Sequence, residues 1–188
     1  MLLTIVLSLL LVPAAPDAGQ TPASKTSPGA GPVVVLETAK GTIEFETYPE
    51  EAPKTVAHIL NLVRRGFYTG MRFHRVESNF VIQIGDPASR DMTQQEVWGR
   101  SGRGSGKPIG AAEITKKRRH AGPGTVGMAH AGAAAAADSQ FYITLRAAPE
   151  LDSGYAVFGR VIAGMDVVRR IERADLLRRA YVRGEGPK

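Results

Sequence analysis

The sequence predicts a mainly β domain, an antiparallel barrel or sandwich carrying two helices. Three observations carry that expectation. Short β-branched runs recur along the chain, only two segments show helical spacing, and glycine or polar punctuation separates the runs. The 188-residue length suits one compact domain with extensions, and 43% hydrophobic residues suffice for a packed core. These values argue against intrinsic disorder and against a polytopic membrane protein. The chain has no cysteine, so a disulfide framework, a thiolate nucleophile, a Cys-ligated metal and a lipid-modified cysteine are excluded.

Positions 2–12 read LLTIVLSLLLV, too short for a bilayer span of about 20 residues. Small residues follow in PAAPDAG, so residues 1–18 are expected to be a signal peptide cleaved near Ala14, Ala15 or Ala18, although no Lys or Arg precedes the run. Five of the twelve prolines fall within residues 13–32, a composition that cannot bury apolar surface. A linker is therefore expected over 19–32 and a folded domain over 33–188. Export to the periplasm or medium, without stable membrane insertion after processing, is the expected localisation.

Within the domain, VVVLETAKGTIEFETYP reads as two strands joined at Ala39-Lys40-Gly41, a β-hairpin. From Pro53, Val56, Ile59, Leu60 and Val63 repeat at helical spacing until Gly66, which predicts one amphipathic helix. Strands are expected at Met71–Val76 and Phe80–Ile84. Gly85 to Gly124 is rich in glycine and charge and should be mostly irregular, the kind of long loop that carries function or wraps a surface. Strands resume around Thr125–Met128, Gln140–Leu145 and Ala156–Val161. Met165–Ile171 should be a short helix and Arg178–Arg183 a closing strand.

Several chemical motifs fail on spacing. A phosphate loop ending at Gly106-Lys107 would need glycine at Ser101 and a hydroxyl residue at Pro108. No G-x-S-x-G surrounds any serine, which removes the nucleophile elbow. His58, His74, His120 and His130 show no metal-ligand spacing and read as structural or surface residues. No metal site and no cofactor are expected.

Larger blocks remain: FHRVESNFVIQIGDP (73–87), GPGTVGMAHAG (122–132), ADSQFYITL (137–145) and ELDSGYAVFGRVIAGMDVV (150–168). In this order, behind the opening hairpin and helix, they resemble the cyclophilin family of peptidyl-prolyl cis-trans isomerases, and more closely its bacterial branch. The resemblance covers 33–183. It implies a closed eight-stranded antiparallel barrel capped by two helices, with a substrate groove on the outer face. It also implies an enzyme that rotates X–Pro bonds in unfolded or Pro-containing polypeptides.

The resemblance assigns the residues. Arg75 in F-H-R matches the catalytic arginine, and Gln83 the glutamine that binds substrate and orients it. Without the resemblance, Arg75 would read as an ordinary strand arginine paired with Glu. Phe80, Val81, Met128, Tyr142 and Leu151 match the proline pocket, Ala129 and His130 the edge that bonds the peptide backbone. Gln140 borders the groove, and Tyr155 stands where many members have His. Strand alternation places Val81 and Gln83 on one face and Phe80 on the other; only the resemblance brings Phe80 to the pocket. There are departures. Val81 replaces Met, His130 stands at a common Asn position, and Tyr142 replaces Phe, adding a hydroxyl that needs a partner. AAAAAD (133–138) lacks polar turn residues, and Glu150 occupies the position where cyclosporin-sensitive relatives carry Trp.

The net charge is +6, from 24 Lys+Arg against 18 Asp+Glu. Between Arg100 and Arg119 seven basic residues face one Glu. Such a cluster could bind an anionic surface, but in an exported chain it reads first as a solvated loop, and no nucleic-acid partner is expected. Two other functions stand beside the isomerase: a low-turnover module that captures Pro-containing segments, and a basic surface binder. A monomer is the default.

Overall fold

The computed structural model describes residues 26–100 and 104–185. The signal-peptide expectation and most of the linker fall on residues 1–25, outside the described residues. The remaining linker positions lie against the domain. Ser27 donates from its backbone N–H and its hydroxyl to the Glu46 carboxylate, both at 2.6 Å. Gly31 N–H donates to Thr47 O at 2.8 Å.

Among the described residues eight strands and two α-helices follow one another: β1 (Val33–Thr38), β2 (Gly41–Thr47), α1 (Pro53–Arg64), β3 (Arg75–Glu77), β4 (Val81–Ile84), β5 (Thr125–Met128), β6 (Phe141–Thr144), β7 (Val157–Ala163), α2 (Met165–Arg170) and β8 (Leu177–Val182). All pairings are antiparallel, in the order β3-β4-β6-β5-β7-β2-β1-β8. The opening hairpin turns through Ala39-Lys40, with Thr38 opposite Gly41. Thr38 Oγ1 accepts the Lys40 N–H at 3.0 Å, which fixes the turn.

The expected closed barrel is not formed: the sheet is open and curled, with β3 and β8 as its two ends. Among the described residues one isolated bridge, Arg72 to Leu176, spans the gap between them. The run expected to be one strand over Met71–Val76 is divided between two partners. Residues 71–73 bond to the β8 side, Phe73 N–H to Asp175 O at 3.0 Å and Leu177 N–H to Met71 O at 2.8 Å. Only Arg75–Glu77 then pairs with β4. A run divided between two partners in this way carries no continuous ladder from β4 to β8.

The inner face holds an aromatic cluster. Phe45, Phe141 and Phe158 meet with ring centroids 5.8–6.0 Å apart, and Tyr68 stands edge-on to Phe141 at 5.5 Å. Helix α1 covers this core with Val56, Ile59, Leu60 and Val63, the stripe its spacing predicts, all buried. Each such side chain contributes about 1.5–3 kcal/mol by leaving water. Pro53 starts the helix, but Ala52 offers no side-chain cap. Instead Glu113, the one acid of the basic stretch, accepts the N–H groups of Lys54 and Thr55 at 2.9 and 2.8 Å. A carboxylate there satisfies two orphan donors and complements the helix dipole.

The long connection after β4 contains only short 3-10 turns among the described residues, at Pro87–Arg90 and Met92–Val97. It is tied down by carboxylates. Asp86 accepts from Ala88 and Gly99 N–H, and Asp138 accepts from Gly106 N–H and the Ser105 hydroxyl. The alanine run is ordered by backbone pairing, with Ile109 N–H on Ala137 O and Gly110 N–H on Ala135 O.

Candidate active site

The antiparallel register sets one row of residues across four strands. Arg75 on β3 lies opposite Gln83 on β4, Gln83 opposite Tyr142 on β6, and Tyr142 opposite Gly127 on β5. Strand alternation directs this row to the outer face, because its neighbours Ile82, Ile84, Phe141 and Ile143 fill the core. Arg75 Nη1 donates to Gln83 Oε1 at 3.0 Å, and Gln83 Nε2 donates to Gln140 Oε1 at 3.0 Å. Arg75 also donates from Nε and Nη2 to Glu77 Oε1, at 2.9 and 2.6 Å. Arg75 therefore makes both a hydrogen bond to Gln83 and an ion pair with Glu77.

A cavity of about 630 Å³ opens over this row. Arg75, Phe80, Val81, Gln83, Ala129, His130, Gln140, Tyr142, Leu151 and Tyr155 all line it. Met128 does not. It pairs with Phe141 in the β5–β6 ladder and shares the inner face, 1% exposed within the core. Phe80 reaches the cavity because β4 begins one residue later, so strand alternation does not govern it. Asn79, with φ of 57°, turns the chain just before it.

The walls divide by chemistry. Phe80, Val81, Leu151 and the ring of Tyr142 form an apolar side, with the Arg146 guanidinium 5.0 Å from the Phe80 ring centre. Arg146 pairs with Glu150 at 2.6 Å, so that rim is charged. His130 stacks on Tyr155 at 4.5 Å, and its Nε2 lies 2.8 Å from Gly154 O. Sequence reasoning passed over the opposite wall, formed by Gly99, Gly106 and Pro108 of the long loop with Ala131, Ala136 and Asp138. Small side chains and a lone Asp carry no spacing signal; Asp138 holds this part of the loop through Ser105, Gly106 and Lys107.

Behind the cavity the Tyr142 hydroxyl lies 2.7 Å from His120 Nε2, and His120 Nδ1 lies 2.9 Å from Asp152 Oδ1. Arg119 Nε donates to Asp152 Oδ2 at 2.8 Å. A carboxylate only accepts, so His120 donates from Nδ1–H to Asp152, and its Nε2 accepts a hydrogen bond from the Tyr142 hydroxyl. Burial pushes the His120 pKa down against the pull of Asp152, and burial raises that of Tyr142. Burial also pushes Asp152 up, but hydrogen bonds from the His120 backbone, Arg119 and the His120 ring outweigh it and bring its pKa to about 2.

An apolar pocket beside one oriented guanidinium can hold a proline ring and donate to its amide nitrogen. Residues 33–183 match the sequence profile of the family described as cyclophilin type peptidyl-prolyl cis-trans isomerase. The chain belongs to this family. Similar curated cyclophilins include the peptidyl-prolyl cis-trans isomerase CYP18-2 of Arabidopsis thaliana, 37% identical, with 76% of this chain and 82% of that protein covered. The peptidyl-prolyl cis-trans isomerase-like 1 of Rhizopus delemar is 40% identical, with 73% and 78% covered. Arabidopsis CYP71 is 43% identical over 74% of this chain, but the chain spans only 21% of its length. These relatives are eukaryotic. A solved cyclophilin of Cryptosporidium parvum shares the fold with a TM-score of 0.68 at 22% identity, covering 82% of this chain and 99% of that one.

Among the described residues no helix is long and apolar enough to cross a membrane, and no acid, His or Cys cluster has the arrangement of a metal site.

Proposed function

We propose that this cyclophilin accelerates rotation about X–Pro bonds in unfolded or folding polypeptides after export, as a periplasmic or secreted protein of the bacterial branch. The observation that carries the catalytic part is the Arg75–Gln83 hydrogen bond at the edge of a pocket walled by Phe80 and Leu151. Amide resonance sets a barrier of about 18–20 kcal/mol. At the top of that barrier the twisted prolyl nitrogen regains its lone pair. An oriented guanidinium donates to that lone pair more strongly than to the planar ground state, which is differential binding of the transition state. Arginine suits the task because it stays charged and its donors are rigid. No bond is broken, so the reaction calls for no nucleophile.

The export part rests on the apolar run at 2–12 and the small residues after it. A protease-coupled assay on an Ala-Pro tetrapeptide tests the activity. A rate well above the thermal background supports it, and a folded protein at background rate rejects it. Expression in a Gram-negative host with N-terminal sequencing of the periplasmic fraction tests export: a new terminus between residues 15 and 19 is expected, and an intact Met1 in the cytosol would contradict it.

A second reading, a low-turnover module that holds Pro-containing segments, is favoured by one observation: Glu77 occupies two donor groups of Arg75. Tight peptide binding without acceleration in the same assay would select it.

A further inference from the structure

The Tyr142 hydroxyl, its buried histidine and Asp152 form a hydrogen-bonded chain that the isomerisation chemistry itself does not require. We propose that His120 and Asp152 are positioning residues, which hold the Tyr142 ring as a fixed wall of the proline pocket. The inference rests on the isomerase reading above and extends it to residues outside the cavity.

His120 is fully buried and does not line the cavity, yet both of its ring nitrogens are engaged, with Tyr142 at 2.7 Å and Asp152 at 2.9 Å. The His120 backbone N–H also donates to Asp152 Oδ1 at 2.7 Å, so the carboxylate fixes the position of the residue as well as its ring. Tyr142 is 3% exposed and lines the cavity. A Cβ at Gly127, its cross-strand partner, would collide with the Tyr142 hydroxyl, so the ring leans over a residue that has no side chain. The space is shaped for this one rotamer.

The chain holds two walls together. Asp152 directly follows Leu151, a pocket residue, and closes the short turn Pro149–Leu151. Its bonds to His120 therefore tie the Leu151 turn to strand β6. Tyr155, further along the same segment, stands edge-on to Tyr142 at 6.0 Å and stacks on His130. If the hydroxyl lost His120, a buried donor would be left without a partner, at a cost of about 1–3 kcal/mol, unless the ring rotated out. A rotated ring would enter the space the proline occupies. A preorganised wall avoids that competition and spares the substrate the ordering cost.

A double-mutant cycle on the full chain tests the proposal, with Tyr142→Phe, His120→Leu and the double variant. In the Ala-Pro assay each single variant is expected to lose about threefold to tenfold in kcat/KM, chiefly through KM. The double variant should lose no more than the worse single, because one coupled unit is being removed. Tyrosine-ring NMR should show Tyr142 in one state in wild type and averaging between states in His120→Leu. Folded variants that lose thermal stability but keep kcat/KM and the single ring state would overturn the proposal, as would multiplicative losses. If His120→Leu does not fold, Asp152→Asn takes its place in the cycle. A wild type that binds an Ala-Pro peptide without accelerating it would defeat the isomerase reading alone. The dissociation constant then reads the same cycle, and unchanged affinity in both single variants overturns the proposal.

Discussion

Arg75 and Gln83 face each other across the short β3–β4 ladder, and the guanidinium Nη1 donates to the amide oxygen at 3.0 Å. Gln83 is itself held by Gln140. The arginine is thus the exposed end of a chain whose middle member is only 8% exposed, and its orientation is set by the register of the sheet.

Gln83→Ala removes this hold. A hydrogen bond to a charged group contributes about 1.5–3 kcal/mol, so kcat/KM should fall about tenfold or more. The isomerisation assay on folded variant checks it, and activity within twofold of wild type would contradict the orienting role.

Cyclosporin should bind weakly. By the family resemblance Glu150 stands where cyclosporin-sensitive members carry tryptophan, and it pairs with Arg146 beside the Phe80 ring. An apolar cyclic ligand would meet a charged rim there. A dissociation constant weaker than 100 nM, about −9.5 kcal/mol, is expected; calorimetry giving tighter binding would refute the assignment.

Stability should fall in acid in two stages. Burial lowers the His74 pKa to about 4, against the charge of Asp86, and lowers that of His120 as well. Both groups bind protons more readily unfolded, where the pKa is about 6.5. The contribution of His74 is therefore complete above about pH 6.5 and is lost as pH falls toward 4, and that of His120 is lost in the same direction. Asp152, at about 2 in the folded state, contributes above its unfolded value of about 3.9 and loses that contribution as pH falls through 2. Denaturant melts from pH 7.5 to 2 check the profile. A midpoint that does not fall between pH 6.5 and 4 would contradict the first stage.

A chain starting at residue 33 should be less stable than one starting at residue 26. Glu46 is fully buried, and its partners are Ser27, through two hydrogen bonds, and the Tyr48 hydroxyl. Removing Ser27 strips a buried carboxylate, at about 1–3 kcal/mol or more, which corresponds to a thermal midpoint lower by several degrees. Equal melting temperatures would show that water replaces Ser27 without cost.

The elements legible in the sequence were those with a strong local period. Val56, Ile59, Leu60 and Val63 predict α1, and Thr38 to Gly41 predicts the first turn. What the sequence left hidden depends on contacts distant along the chain. The 71–77 run reads as one strand, because periodicity cannot show that its two halves bond to opposite ends of the sheet. Met128 matches a pocket position by resemblance, yet the β5–β6 register turns it inward beside Phe141. Tyr142 announces an unpaired hydroxyl, but its partner lies 22 residues earlier. His120 reads as merely structural because its neighbours in sequence say nothing of Asp152. Glu113 likewise reads as one acid in a basic stretch, until the fold lays it on the start of α1.

The central claim is that Arg75, oriented by Gln83, carries the catalysis. The most direct measurement is exchange NMR on an Ala-Pro peptide at equilibrium, with catalytic amounts of wild type and of Arg75→Ala, together with their thermal midpoints. Arg75 is about two-fifths exposed, and its ion pair with Glu77 is a surface pair that contributes at most about 1 kcal/mol. The midpoint should therefore move little while cis-trans exchange drops at least a hundredfold. Equal exchange rates from two folded proteins would contradict the account.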